Sequence, residues 1–516
     1  MLKLRWLFVG ACFPWLFIGF CTFLISGYFV LHSTEEFDYG EGVVLWQATH
    51  VTEWATAYHP VEVYPHLVFE YTPLYHLVSR AIALATGDLQ IAGRLVSLLS
   101  TASICIVLAL LAWFCQPPGT DRFTRSIAAT CAGLLIFTTV GEHAGSDPGA
   151  IPVWFWSCLM RVDMLALLFT FSGIALFIFA RLRPALAYAA FLLFVAAVYT
   201  KQLMIAAPVV CLLLLLIESP KRAIRVSMVA IAVGLGALVM LQIATHGFFW
   251  RNVFSYDQNP FKISKSIRMW EEHFPLVAPV LSSALVLPAL FLIRVPWRLR
   301  HLIRHLRSLL RRNLFSRALT VTGTFLGLAI VVSTACGKEG ANVNYFLEAD
   351  FSAILACALF LGWLMANRPE RIRGFHLALT LFVTLLLALH SVRAAVASRD
   401  FTVHNVWPPQ PQYSVEMVNF LKNTQGPVYS ENMTVLMLAG QQIPAEPAII
   451  TSLVKTNQWD ESSFVERLAG GRFRAVVVTT TLDNSERFTP NVKRSIEQRY
   501  TISRKIGPFK IYTPRR

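Results

Sequence analysis

Charge is what this sequence has least of. Only 15% of its 516 residues are Asp, Glu, Lys or Arg, against 55% hydrophobic, and the mean hydropathy is +0.54. A soluble domain carries about 25% charged residues, so the composition excludes an ordinary soluble protein and puts most of the chain in a membrane. Acids are scarcer than bases, 30 against 45, for a formal net charge of +15. Spread over a soluble surface, that excess would point to nucleic acid. Here the cations sit in short loops between apolar runs, so no nucleic-acid partner is expected.

Paired cysteines are missing as well. Of nine, Cys12, Cys21, Cys105, Cys131, Cys211 and Cys357 fall inside apolar runs, and Cys115, Cys158 and Cys336 lie near their ends. None stands at metal-ligand spacing, and the soluble tail has none, which argues against a disulfide framework and leaves Cys158–Cys336 as a conceivable bridge. Walker-type loops, H-E-x-x-H helices and paired C-x-x-C are absent, as is any repeat of roughly 20–50 residues.

What is there is a series of apolar runs. A membrane span takes roughly 20 such residues. Eleven candidates lie at about 6–30, 91–114, 126–141, 164–180, 184–200, 203–217, 224–246, 275–293, 318–336, 348–366 and 374–394. The first follows Lys3 and Arg5, is too long for a signal-peptide core and lacks a small-residue cleavage site, so it reads as an uncleaved span. Basic residues mark the cytoplasmic loops. Arg294, Arg298, Arg300, Arg304, Arg307, Arg311, Arg312 and Arg317 share one acid-free segment. This segment reads as a cytoplasmic amphipathic helix on anionic lipid. Alternation puts Lys3/Arg5, Arg122/Arg125, Arg181/Arg183, Lys221/Arg222/Arg225 and Arg368/Arg371/Arg373 on the same side.

Residues 71–86 also resemble a span, but a crossing there would turn every later basic loop outward. The expectation is therefore a non-crossing interfacial helix, with Tyr71, Tyr75, His76 and Arg80 toward headgroups or the site. The prolines of Trp407-Pro408-Pro409-Gln410-Pro411 make an extended linker. Beyond it, strands are expected at 428–430, 475–480 and 509–512, with a helix starting at Asp460-Glu461-Ser462-Ser463. The chain divides into a transmembrane module, 1–397, and a small α/β extracytoplasmic domain, 398–516. Asn432-Met433-Thr434 fits a glycosylation sequon, a pattern common by chance.

The stretch 31–94 inverts the overall charge balance. Glu35, Glu36, Asp38, Glu41, Glu53, Glu62, Glu70 and Asp88 face only Arg80 and Arg94, and His50, His59, His66 and His76 sit among them. Those histidines would make a metal site only if they converged with Glu62 or Glu70. The other loops on this side hold Arg161-Val162-Asp163, Thr200-Lys201-Gln202, Asn259-Pro260-Phe261-Lys262 and the run 336–345. Ionisable side chains next to hydrocarbon turn toward cavities and partners. Carboxylates there can take a proton from an attacking hydroxyl or hold a cation, and Lys or Arg can stabilise a departing phosphate. The combination suits a sugar carried on a lipid phosphate.

Five stretches, in order over about 1–350, resemble the GT-C superfamily of polyprenyl-phosphate-sugar-dependent glycosyltransferases. They are the acidic motif Phe37-Asp38-Tyr39-Gly40-Glu41-Gly42; Tyr71-Thr72-Pro73-Leu74-Tyr75 with Gly93-Arg94-Leu95; Arg161-Val162-Asp163; Thr200-Lys201-Gln202; and Asn342-Val343-Asn344-Tyr345-Phe346-Leu347. The likeness is to bacterial family-39-like members, related to protein O-mannosyltransferases and the lipid A aminoarabinose transferase. It implies a GT-C-like helical membrane protein with juxtamembrane helices in the first outer loop and a soluble outer domain. It implies transfer of a sugar from a polyprenyl-phosphate donor to a hydroxyl acceptor, with inversion of stereochemistry, at the bacterial inner membrane with the N-terminus cytoplasmic. No cofactor is demanded, though the carboxylates are compatible with a divalent cation. Carried over by position, the base is Glu41, with Asp38 second, since the family's adjacent Asp-Glu is here Gly40-Glu41 with Asp38 earlier. Asp163 matches the second-loop acid, positioning the acceptor, a cation or Lys201. Lys201, Arg94 and Tyr345 fall at donor-phosphate positions. The C-terminal domain is either an acceptor-binding element or a cap. A transporter or flippase of a lipid-linked glycan is the competing class, and an inactive scaffold the third.

Overall fold

The computed structural model describes residues 2–143, 150–292, 299–366, 373–407 and 412–515. Arg294, Arg298, Arg368, Arg371 and the prolines of the 407–411 linker lie outside these residues.

Each of the eleven apolar segments overlaps a helix, although 126–141 keeps its helix only to Leu134 and continues as a 3-10 turn and a strand from Val140. The helices are Leu2–Leu31, Leu89–Phe114, Arg122–Leu134, Asp163–Phe179, Leu186–Thr200, Ala206–Glu218, Pro220–Ala244, Ile263–Leu292, Leu314–Ser333, Leu347–Met365 and Arg373–Asn405. Helices form because inside a bilayer only the helix's own carbonyls are available to its N–H groups. Six described helices, counting the last from Leu377, are long and apolar enough to cross. Leu347–Met365 is the axis of the bundle, buried along nearly its whole length, with its Phe351 ring against Phe171 and its sides against helices Ile263–Leu292 and Leu314–Ser333. Pro220–Ala244 is the opposite case. It turns Met228, Ile231, Leu235, Met240 and Ile243 outward, which in water would be a large exposed apolar surface and in lipid is an ordinary bundle face. The helix Arg373–Asn405 runs on through 397/398 before the linker.

The basic loops gather at one end of the bundle. Arg181 donates to the carbonyls of Arg311 and Arg312, Arg311 to that of Glu218, and buried Arg317 pairs with Glu218 at 2.8 Å. Helix Leu299–Arg312 lies here, with Arg300, Arg304, Arg307 and Arg311 exposed along one stripe. At the other end, the segment after Leu31 forms short helices instead of a span. Leu74–Thr86 is 13 residues, too short to cross, and ends at Gly87 in the left-handed conformation. Its orientation differs from the expectation. Tyr75 and His76 point into the protein, with Tyr75 Oη donating to the Gly93 carbonyl at 2.8 Å, and Arg80 donates to the Thr49 carbonyl. The helix packs on Gly40–His50 and Leu89–Phe114, so its polar face is used against protein backbone while Leu84 faces outward. Burial pushes the His76 imidazole down to about 3, leaving it neutral.

The C-terminal domain is a four-stranded sheet covered by helices. Val428–Ser430 pairs parallel with Ala475–Val478, which pairs antiparallel with Phe509–Pro514; Tyr500–Ile506 is the outer strand. Ala475–Val478 stops two residues early because the Thr479 and Thr480 N–H groups donate to Glu431. Tyr500–Ile506 escaped the sequence reading. It is an edge strand exposed from Thr501 to Lys505, so it carries no buried alternation. Asn432 is 7% exposed and caps helix Met433–Leu438 through Val435 N–H, which gives the sequon asparagine a structural role. All nine cysteines are free thiols; Cys336 lies against Ser266 rather than Cys158.

Candidate active site

A cavity of about 260 Å³ lies where the first loop, the ends of several bundle helices and the C-terminal domain meet. Its walls include Asp38, Tyr39, Glu70, Tyr71, Trp156, Arg161, Lys201, Gln202, Asp257, Asn344 and Tyr345, with Glu446 and Arg487 from the C-terminal domain.

The acidic motif divides its two acids between different duties. Glu41 opens helix Gly40–His50 and is 1% exposed. One of its oxygens accepts from Arg94 Nε and Met160 N–H, the other from Arg94 Nη2 and Phe37 N–H, all within 3.0 Å. Arg94 also donates to the carbonyls of Val30, Ser33 and Glu35. A guanidinium has five N–H donors, and all five are engaged inside the protein. Glu41 and Arg94 therefore brace one another behind the cavity and do not line it. Sequence position alone suggested a base and a phosphate ligand.

Asp38 takes the place facing the cavity. Its Oδ2 accepts from Gly40 N–H at 3.0 Å and lies 3.1 Å from Arg161 Nη1. Gly40 makes that pair possible, since a Cβ there would come within 1.3 Å of Arg161 Nη1. Burial pushes the Asp38 carboxyl above its ordinary value, against the pull of Arg161. Arg161 also donates to Tyr71 Oη at 3.3 Å and lies over the Trp156 ring.

Asp163, fully buried, opens helix Asp163–Phe179. Its Oδ1 accepts from Lys201 Nζ at 2.5 Å and Asn344 Nδ2 at 3.1 Å. Lys201 leaves helix Leu186–Thr200 in an extended conformation, which turns its side chain inward. Its ammonium is 5.3 Å from the centre of the Tyr345 ring. Two ion pairs, Asp38–Arg161 and Asp163–Lys201, thus stand together, linked by a 3.9 Å approach of Arg161 Nε to Asp163 Oδ2.

Of the residues singled out from sequence, the structure brings together Asp38, Asp163, Lys201 and Tyr345, and sets Glu41 with Arg94 to one side. Arg161 and Asn344 were in the quoted motifs without a role. Glu446 and Arg487 carried no signal. Tyr39 donates to Glu446, and the Arg487 guanidinium stacks on the Tyr39 ring at 3.4 Å. Glu70 and Asp257 are joined through Gln202, which donates to the Glu70 carbonyl and to Asp257 Oδ2. Burial, with Glu446 and Asp257 nearby, pushes the Glu70 carboxyl well up.

The first-loop histidines do not converge on a metal. His50, His59 and His66 bond backbone carbonyls, and Glu62 pairs with Arg251. Among the described residues no group of three or more His, Cys, Asp or Glu is arranged to hold an ion.

Neither a family model nor a curated protein sequence matches this chain. A solved structure does: ArnT from Cupriavidus metallidurans bound to undecaprenyl phosphate. The TM-score is 0.59 over 97% of this chain and 98% of that one, at 12% identity. At that identity the likeness concerns the fold. The chain shares the fold of that structure, a bundle of apolar helices followed by a small C-terminal sheet.

Proposed function

We propose that this protein is a membrane glycosyltransferase that moves a sugar from a polyprenyl-phosphate donor to a hydroxyl acceptor with inversion. The observation that carries the reading is the side-by-side placement of the Asp38–Arg161 and Asp163–Lys201 pairs in one cavity at the loop end of the bundle. Likeness in fold to a protein solved with undecaprenyl phosphate supports the donor class. Basic residues favour the cytoplasmic side of a membrane, which supports reading the cavity as extracytoplasmic, at a bacterial inner membrane, with the N-terminus cytoplasmic.

The chemistry follows from the residues. Asp38 accepts the proton of the acceptor hydroxyl as its oxygen bonds to the anomeric carbon. The bond from that carbon to the phosphate oxygen breaks, and the electron pair leaves with the polyprenyl phosphate. Lys201 and Arg161 balance the charge that grows there, and Tyr345 flanks the ammonium. Asp163 holds Lys201 and has an oxygen free of any closer partner than Arg161. Glu41 and Arg94 shape the loop from behind.

Lys201→Ala tests the donor end. Losing a charge-assisted contact of this kind costs about 1.5–3 kcal/mol, so undecaprenyl phosphate affinity in purified protein is expected to fall roughly 10- to 100-fold. Wild-type binding and transfer in this variant would remove Lys201 from the mechanism. Labelled lipid that crosses the membrane without cleavage of its sugar bond would move the protein to the transporter class.

A further inference from the structure

The five residues Glu35 to Tyr39 have no regular secondary structure, and loops of this kind are mobile unless tied down. Three of them are tied to three different helices of the C-terminal domain. Glu35 accepts from the N–H and hydroxyl of Ser414, at 2.8 and 2.5 Å, in helix Tyr413–Lys422. Glu36 accepts from the N–H and hydroxyl of Thr434, at 3.2 and 2.5 Å, in helix Met433–Leu438. Tyr39 donates to Glu446 and accepts from Ala448 N–H at 3.2 Å, at the start of helix Pro447–Lys455. Gly42 serves the same junction: a Cβ there would lie 2.6 Å from Glu36 Oε2 and 2.9 Å from Met433 Cβ. On its other flank the loop is held by the Glu41–Arg94 brace, which belongs to the bundle.

We infer that the C-terminal domain is a positioning element for Asp38, acting through Thr434 on Glu36 and through Ser414 on Glu35. This rests on the reading of Asp38 as the base. The domain then acts neither as a passive cap nor only as a wall for the acceptor. Its helices fix the direction of a carboxylate that lies some 400 residues earlier in the chain. Thr434 touches neither the cavity nor any group assigned to the chemistry.

The experiment compares Thr434→Val with Thr434→Ser in the full-length protein. Valine keeps the shape and the backbone N–H contact but removes the hydroxyl; serine keeps the hydroxyl. Turnover is measured on a panel of undecaprenyl-phosphate pentoses and hexoses, and hydrogen exchange is followed in peptides covering 33–42. The valine variant is expected to lose up to roughly tenfold in kcat, the scale of one buried hydrogen bond, with KM for the lipid donor unchanged. Exchange in 33–42 should rise, and serine should restore both. Wild-type kcat in the valine variant, or an equal loss in both variants, overturns the inference. If the wild type turns over no member of the panel, the proposed function fails, and the exchange measurement still decides the positioning role: faster exchange in valine alone supports it, and unchanged exchange refutes it.

Discussion

Asp38→Asn is expected to lower transfer by roughly 10²- to 10⁴-fold, the range of a lost general base, while undecaprenyl phosphate still binds. Asparagine is nearly the same size, and its carbonyl can still accept from Gly40 N–H. What goes is the proton acceptor and the negative charge opposite Arg161. That guanidinium keeps its contact with Tyr71 and its approach to Asp163, so the cavity should retain its shape. The pH profile carries a second signature. Burial raises the Asp38 carboxyl, and a base works only when deprotonated. Wild-type kcat/KM should therefore fall as pH drops through a value above the ordinary aspartate range. The residual activity of the asparagine variant should lack that limb. Transfer at the wild-type rate from Asp38→Asn would return the search for a base to the other cavity carboxylates.

Arg94→Ala is expected to act on folding. Five donors disappear from a site with no water access, and Glu41 is left charged and buried. Breaking a buried pair by removing one partner costs about 3–5 kcal/mol, a large share of a typical domain's roughly 5–15 kcal/mol. The variant should be recovered poorly from membranes and melt well below the wild type in detergent. Glu41→Gln combined with Arg94→Met should recover part of the loss, because no uncompensated charge remains. Asp38→Asn should melt like the wild type, which separates the two acids of one motif by two different assays. If Arg94→Ala melted normally and instead failed to bind undecaprenyl phosphate, Arg94 would be a donor ligand and the brace would be incidental.

The contrast between these acids also explains what was legible from sequence. The eleven helices were, because twenty or so apolar residues have few other fates in lipid. The non-crossing stretch at 71–86 was, because the basic loops had to agree with one another. Ala475–Val478 was legible as a β-branched run, whereas Tyr500–Ile506 was not, since an edge strand has no buried alternation to show. Within the site, Lys201 and Asp163 declared themselves as ionisable residues at apolar boundaries. The choice between Asp38 and Glu41 could not be read locally. It depends on Arg94, 53 residues from Glu41, and on Arg161, and side-chain identity at 38 and 41 says nothing about which partner each one meets. Glu446, Arg487 and Thr434 were further out of reach, because they meet the first loop only through the packing of a separate domain.

Gly40 sets a limit on how this motif can change. A side chain at position 40 would enter the space of the Arg161 guanidinium. That guanidinium is the far end of a flexible side chain, so it can turn aside, but its 3.1 Å contact with Asp38 Oδ2 would have to re-form in another geometry. Change at position 40 is therefore coupled to change at position 161, and the two positions are expected to vary together rather than singly.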